Sequence, residues 1–198
     1  MSDIRKKTLA EKVSTSDVLT FYNNLVGHSL ALEKSIQSTI SNKETSTIMT
    51  SLITLSEIKD QNGILRAKIA KIIKHKKISP LEKKQIQDIQ EKLKFYREKF
   101  ELFSHQNIQN QYKQILNTNN NLKIQSTISK ILNSNETINS DQTAKSWFLL
   151  MTKKIDQMAT LENKIKNSLI TSANINANNA KSSLIQYALI ILIVLAIS

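Results

Sequence analysis

Among its 198 residues the chain has no cysteine, one proline and two glycines, and aromatic residues make up only 5%. Each shortage excludes something. Without cysteine there is no disulfide, no thiol nucleophile and no cysteine-based zinc site, and the redox compartment stays open. So few glycines and prolines leave little material for tight turns, which argues for long helices joined by short polar links. With Ile and Leu supplying most of the apolar side chains, the core is expected to be a narrow seam rather than a thick globular interior.

Recognisable catalytic patterns are scarce as well. His28, His75 and His105 lie in separate segments without a second histidine or a carboxylate at ligand spacing, so neither a metal nor a cofactor is expected. Glu57, Asp60, Glu82 and Asp88 are set among lysines and read as solvated helix faces. The sequence has no phosphate loop, dinucleotide fingerprint or nucleophile motif, and it is not read as an enzyme.

Positive charge is abundant. A net charge of +12 attracts anions, whether nucleic acid, lipid headgroups or small solutes. The cluster Lys68, Lys71, Lys74, Lys76 and Lys77 has no aromatic platform or nucleic-acid module beside it, so no nucleic-acid partner is expected.

Helical periodicity predicts a short helix over Asp3–Lys12 and a polar break at Ser14–Ser16. A second helix follows from Asp17 to about Ser41, with Val18, Phe21, Leu25, Leu32 and Ile36 on its seam and Tyr22 at one edge. The third runs from Lys43 to about Lys77, with Ile48, Leu52, Leu55, Ile58, Leu65, Ile69 and Ile72 inward, and Pro80 closes it. A fourth helix, Leu81 to about Leu116, carries Ile86, Ile89, Leu93, Tyr96, Phe100 and Phe103 as a sustained heptad seam. After a short helix expected over Leu122–Leu132 and a loop over Asn133–Ser140, Asp141 opens a last long helix. Trp147, Met151, Ile155, Met158, Leu161, Ile165 and Leu169 line its inner face.

The last helix can run on into Leu184–Ser198, whose apolar stretch from Tyr187 has no polar face and is shorter than the roughly 20 residues that cross a bilayer. A buried core helix would also be apolar, but the polar stretch Asn174–Ser183 before it favours the membrane. The expected fold is all-α: an elongated antiparallel four-helix bundle whose last helix continues into a transmembrane segment. Residues 1–183 would form the helical domain and 184–198 the start of a truncated transmembrane helix, in either a tail-anchored protein or a piece of a longer membrane protein. Such a continuous helix would deliver any shift in the bundle to the membrane, as a sensor requires, although an inert stalk would look the same.

One segment stands out within the third helix. Lys59, Asn62 and Arg66 recur at steps of three and four beside the apolar stripe, and one of the two glycines, Gly63, sits among them. Two cations one heptad apart, with an amide between them in partly dry surroundings, suit a small oxyanion, since arginine offers a planar fork of donors. The missing Cβ of Gly63 would admit a neighbouring helix. The same pattern also fits solvated flank residues and a tolerated glycine costing about 1 kcal/mol.

Three stretches resemble the nitrate- and nitrite-sensing (NIT) domain, an all-helical ligand-binding module of bacterial chemoreceptors, histidine kinases and antiterminators. Tyr22-Asn-Asn-Leu25 with Leu30, led by Ile4-Arg5 and Val13, resembles the family's Tyr-Thr-x-Leu/Ile helix opening. Lys59-Asp-Gln-Asn-Gly63-Ile-Leu-Arg66-Ala67 resembles its Lys-Glu-x-x-Gly-x-Glu-Arg-Ala signature, with Asp60 for the first Glu and Leu65 for the second. Trp147-Phe148 with Thr152, Lys154-Ile155-Asp156 and Glu162 resembles the closing helix that leads to the second transmembrane span. The resemblance is to the second half of the family's domain, whose first half carries a Gln-x-Glu-Arg-Gly helix with no counterpart here. It implies that Arg66 binds the ligand, with Lys59 and Asn62 as lesser contacts and Gly63 serving close helix packing. It further implies the sensory region of an inner-membrane receptor, of the methyl-accepting chemotaxis type, with an extracytoplasmic bundle, nitrate or nitrite as ligand and a homodimeric assembly. The alternative is a tail-anchored or stalk-like bundle whose seams serve partner proteins.

Overall fold

The structure, a computed structural model, describes the backbone of residues 15–197 and the side chains of 17–187 except 18, 19, 22 and 23. The short helix expected over Asp3–Lys12, and the side chains of Val18 and Tyr22, lie outside the described residues. The chain divides into two compact units, 1–39 and 40–198. Helix α1 (Thr15–Gln37) belongs to the first. Its end is closed by hydrogen bonds from the Ser38 and Thr39 amides to the carbonyls of Lys34 and Ile36. Phe21 and Leu25 are half-buried, but Leu32 is 63% and Ile36 48% exposed, so the expected seam fails along the helix's second half. His28 and Ser29 occupy the intervening turn and interrupt the apolar stripe.

All six helices of the described residues are joined without a strand, and five of them make up the second unit as an up-and-down bundle. Helix α2 (Lys43–His75) opens where the Asn42 side chain accepts the Thr45 amide at 2.9 Å. It ends at Lys76, which adopts the left-handed conformation (φ 54°) that closes a helix. Lys77 then pairs with Thr137 in an isolated antiparallel bridge. Helix α3 (Pro80–Phe103) starts with proline in its first turn and a reciprocal Ser79–Glu82 capping box.

The helix expected to continue to Leu116 instead breaks at Ser104, whose backbone is extended. Local hydrogen bonds stabilise that break. The Ser51 hydroxyl donates to the Phe103 carbonyl at 2.7 Å, and the Gln109 side-chain amide donates to the carbonyls of Glu101 and Ser104. These donors satisfy acceptors that a helix end otherwise leaves to water. The chain reverses into α4 (Gln106–Leu116) and α5 (Asn119–Asn133), which together form the third leg of the bundle. Phe103, expected on the seam, is therefore 36% exposed at the reversal.

Helix α6 (Ala144–Ile197) is the fourth leg and packs along α2, α4 and α5. Its seam is Trp147, Met151, Lys154, Met158, Leu161 and Ile165, all buried. Ile155, expected inward, is only half-buried, and Lys154 takes the core position. Steps of four and three continued from Trp147 and Met151 reach residue 154, so the register itself puts the lysine inside.

Two contacts hold the far end of this packing. Asn176 donates to Thr45 Oγ1 at 2.7 Å and accepts from Asn42 at 3.2 Å. Beyond Asn176, α6 extends another ~32 Å at 1.5 Å per residue to Ile197. Ile175, Leu184, Ile185 and Tyr187 are exposed on this part of the helix. Among the described residues no helix is long and apolar enough to cross a membrane.

Candidate anion-binding site

Helix α2 lies antiparallel to α6, and two of the stretches singled out in the sequence meet across that contact. Arg66 is half-buried. Its Nη1 donates to Thr152 Oγ1 at 2.8 Å, and its guanidinium carbon lies 4.3 Å from the centroid of the Phe148 ring. The Trp147 indole donates to the backbone carbonyl of Arg66 at 3.0 Å. Stacking on an aromatic face suits arginine because its planar cation is weakly hydrated. Burial lowers the affinity of the guanidinium for its proton, and the nearby carboxylate of Asp156 partly offsets that. Arg66 Nε is buried and has no hydrogen-bond partner among the described residues, leaving one donor of the fork unused.

Lys59 sits one heptad earlier on the same flank and is ion-paired with Glu162. That carboxylate also receives Lys166 at 2.9 Å and, more weakly, the Ser56 hydroxyl at 3.4 Å. Burial alone would raise the Glu162 pKa, but the hydrogen bonds from Lys59 and Lys166 outweigh it and hold the carboxyl below its ordinary value. The two cations reach α6 at residues 152 and 162, ~15 Å apart along that helix, farther than the ~10 Å between their own positions on α2. Their tips diverge, so a single small anion does not bridge them.

Asn62 is wholly buried on the α2 seam, where its amide nitrogen donates to the Ile58 carbonyl at 2.7 Å. Its remaining polar atom, Oδ1, is an acceptor without a partner among the described residues, the wrong polarity for an anion. A Cβ built at Gly63 meets nothing within 4 Å. The close helix approach expected there is thus absent from the described packing. Of the four residues singled out, only Arg66 has a buried donor atom with no hydrogen-bond partner among the described residues. The closing-helix residues Phe148, Thr152 and Glu162 are what hold Arg66 and Lys59. Their distance in sequence, not their chemistry, hid that pairing.

A second group of polar side chains was not foreseen. Lys154 on α6 is 3% exposed, and Arg97 on α3 and Tyr112 on α4 lie close by. Burial, with Arg97 adding to it, pushes the Lys154 pKa down to about 7. Burial pushes the Tyr112 phenol up to about 12, against the opposing pull of Arg97. Arg97 Nε and the Tyr112 hydroxyl are buried without a well-formed hydrogen bond among the described residues. The heptad registers offered the signal: Ile86, Gln90, Leu93, Arg97 and Phe100 follow steps of four and three on α3, just as Lys154 does on α6.

Cationic side chains held between the legs of an all-α bundle are the makings of a small-anion-binding domain. The family described as nitrate and nitrite sensing, NIT, matches residues 1–170, and the chain belongs to it. No curated protein and no solved structure matches the chain.

Proposed function

We propose that this chain is the ligand-binding region of a membrane-bound bacterial receptor for nitrate or nitrite, of the methyl-accepting chemotaxis type. In this reading the bundle lies outside the inner membrane as a homodimer, and α6 carries the signal inward. Membership of the sensing family supports the ligand class. The observation that carries the site is Arg66, half-buried on an aromatic face with one buried donor unused. An arriving anion would compete with Thr152 for the guanidinium and so alter the α2–α6 contact, which gives it different affinities for two packings of the same helices. The uninterrupted run of α6 from Ala144 to Ile197 supports mechanical relay.

The test is thermal melting of the full chain with nitrate, nitrite, chloride or sulfate, beside Arg66→Ala. Ligand at 100 times its dissociation constant stabilises by about 2.7 kcal/mol. A rise in melting temperature selective for nitrate or nitrite and absent from Arg66→Ala is expected. A bundle serving partner helices instead, the reading favoured by exposed Leu32 and Ile36 on α1, would show no selective rise.

A further inference from the structure

We infer that the outer face of α3 is the surface through which two copies of the chain pair side by side and in parallel, with Phe95 at its centre. Helix α3 packs chiefly against α2, and Ile86, Ile89, Leu93 and Phe100 are buried on its inner side. On the opposite side Leu81, Phe95 and Leu102 are each more than half exposed. With Asp88 they recur every seven residues, so the four lie in one row along the helix. The Phe95 ring meets that of Tyr96 edge-on at 5.5 Å, which widens the strip at its middle. An exposed apolar strip bordered by charges marks a contact surface.

The charges beside the strip say what covers it. At about 3.6 residues per turn, Glu91 and Glu98 stand about 40–60° to one side of Phe95, and Lys92 and Lys99 about 40–60° to the other. None of the four makes an ion pair among the described residues, although Lys92 is near enough to act on Asp60 of α2. A two-fold axis parallel to the helices sets the acidic edge of one copy against the basic edge of the other. This happens on both sides of the strip and at nearly the same height, Glu91 with Lys92 and Glu98 with Lys99. An antiparallel pair would instead set glutamate against glutamate and lysine against lysine. Complementary edges around an apolar centre therefore select both the partner and its direction. Asp88, the one charge within the row, has Lys84 one turn before it on the same face. A parallel pair also sends both α6 extensions out of the same end, as the homodimeric receptor proposed above requires; the inference deepens that reading and rests on it.

The experiment is sedimentation velocity on the full chain as wild type, as Lys92→Glu with Lys99→Glu, as Glu91→Lys with Glu98→Lys, and as an equimolar mixture of the two variants. Circular dichroism checks the helix content of each. Wild type is expected to sediment as a dimer. Each variant alone is expected to dissociate, its dissociation constant raised about tenfold or more by like charges facing each other, and the mixture to pair again. Recovery in the mixture separates lost pairing from lost folding. Because the chain has no cysteine, Leu81→Cys and Leu102→Cys, made singly, read the direction. The two positions lie ~32 Å apart along α3, so under copper-phenanthroline oxidation each variant should form a disulfide with its own kind. A monomeric wild type, charge variants that pair as well as wild type, or a disulfide formed only between positions 81 and 102 overturns the inference. A monomer whose melting temperature still rises selectively with nitrate overturns this surface and leaves the ligand reading. A dimer with the expected charge and disulfide responses but no selective nitrate rise supports the surface and removes the ligand reading.

Discussion

The Trp147 indole N–H donates to the backbone carbonyl of Arg66 at 3.0 Å, tying the first turn of α6 to the middle of α2. The bond joins the chain's one tryptophan, 0% exposed, to the residue proposed to meet the ligand. Trp147→Phe should cost about 0.5–1.5 kcal/mol, for one hydrogen bond lost to a carbonyl that the α2 helix itself still satisfies. Chemical denaturation followed by far-ultraviolet circular dichroism measures it. In wild type, the single indole also reports by fluorescence on any ligand-driven change at Arg66.

Glu162 gathers Lys59 and Lys166 on one mostly buried carboxylate. Because its folded pKa lies below the unfolded value, the stabilisation is present above that unfolded value, about 4.3 for glutamate, and is lost as pH falls through the folded one. Glu162→Gln should destabilise the chain by about 1–3 kcal/mol at pH 7. It should also flatten the acid limb of a stability-versus-pH curve, as urea melts between pH 3 and 7 would show.

Lys154 gives the opposite dependence. Its folded pKa, about 7, lies below the ordinary lysine value of 10.5. Between those values the unfolded chain binds a proton that the folded chain does not, so this lysine's contribution to stability rises with pH across that window. The cation that acts on it is Arg97, from α3. Lys154→Met should abolish the rise and increase stability at pH 7. Melting temperatures from pH 6.5 to 9.5 for the two proteins check this.

At Gly63 the neighbouring space is open. Gly63→Ala should therefore stabilise α2 by about 1 kcal/mol through helix propensity alone. A lower melting temperature in the variant would mean that another surface, such as a second copy of the chain, seats against this glycine.

Much of the fold was legible from periodicity. The α2 stripe Ile48 to Ile72 is buried as read, because apolar residues recur there without interruption. The break at Ser104 was not legible, since the seam looked continuous and the donors that stabilise the reversal, Ser51 and Gln109, come from outside the helix they end. At Lys154 hydrophobicity and register disagree: the side-chain type points to Ile155, while steps of four and three from Trp147 point to the lysine that is buried. Arg66 could be picked out locally, whereas its contacts with Phe148 and Thr152 are more than 80 residues away and depend on tertiary packing.

The central claim, selective recognition of nitrate or nitrite through Arg66, is tested most directly by calorimetric titration of each anion into the wild-type chain and Arg66→Ala. The account predicts saturable heats with nitrate or nitrite that chloride and sulfate do not give, together with a clear loss of affinity in Arg66→Ala. Equal heats from all four anions, or unchanged nitrate affinity in Arg66→Ala, would contradict it.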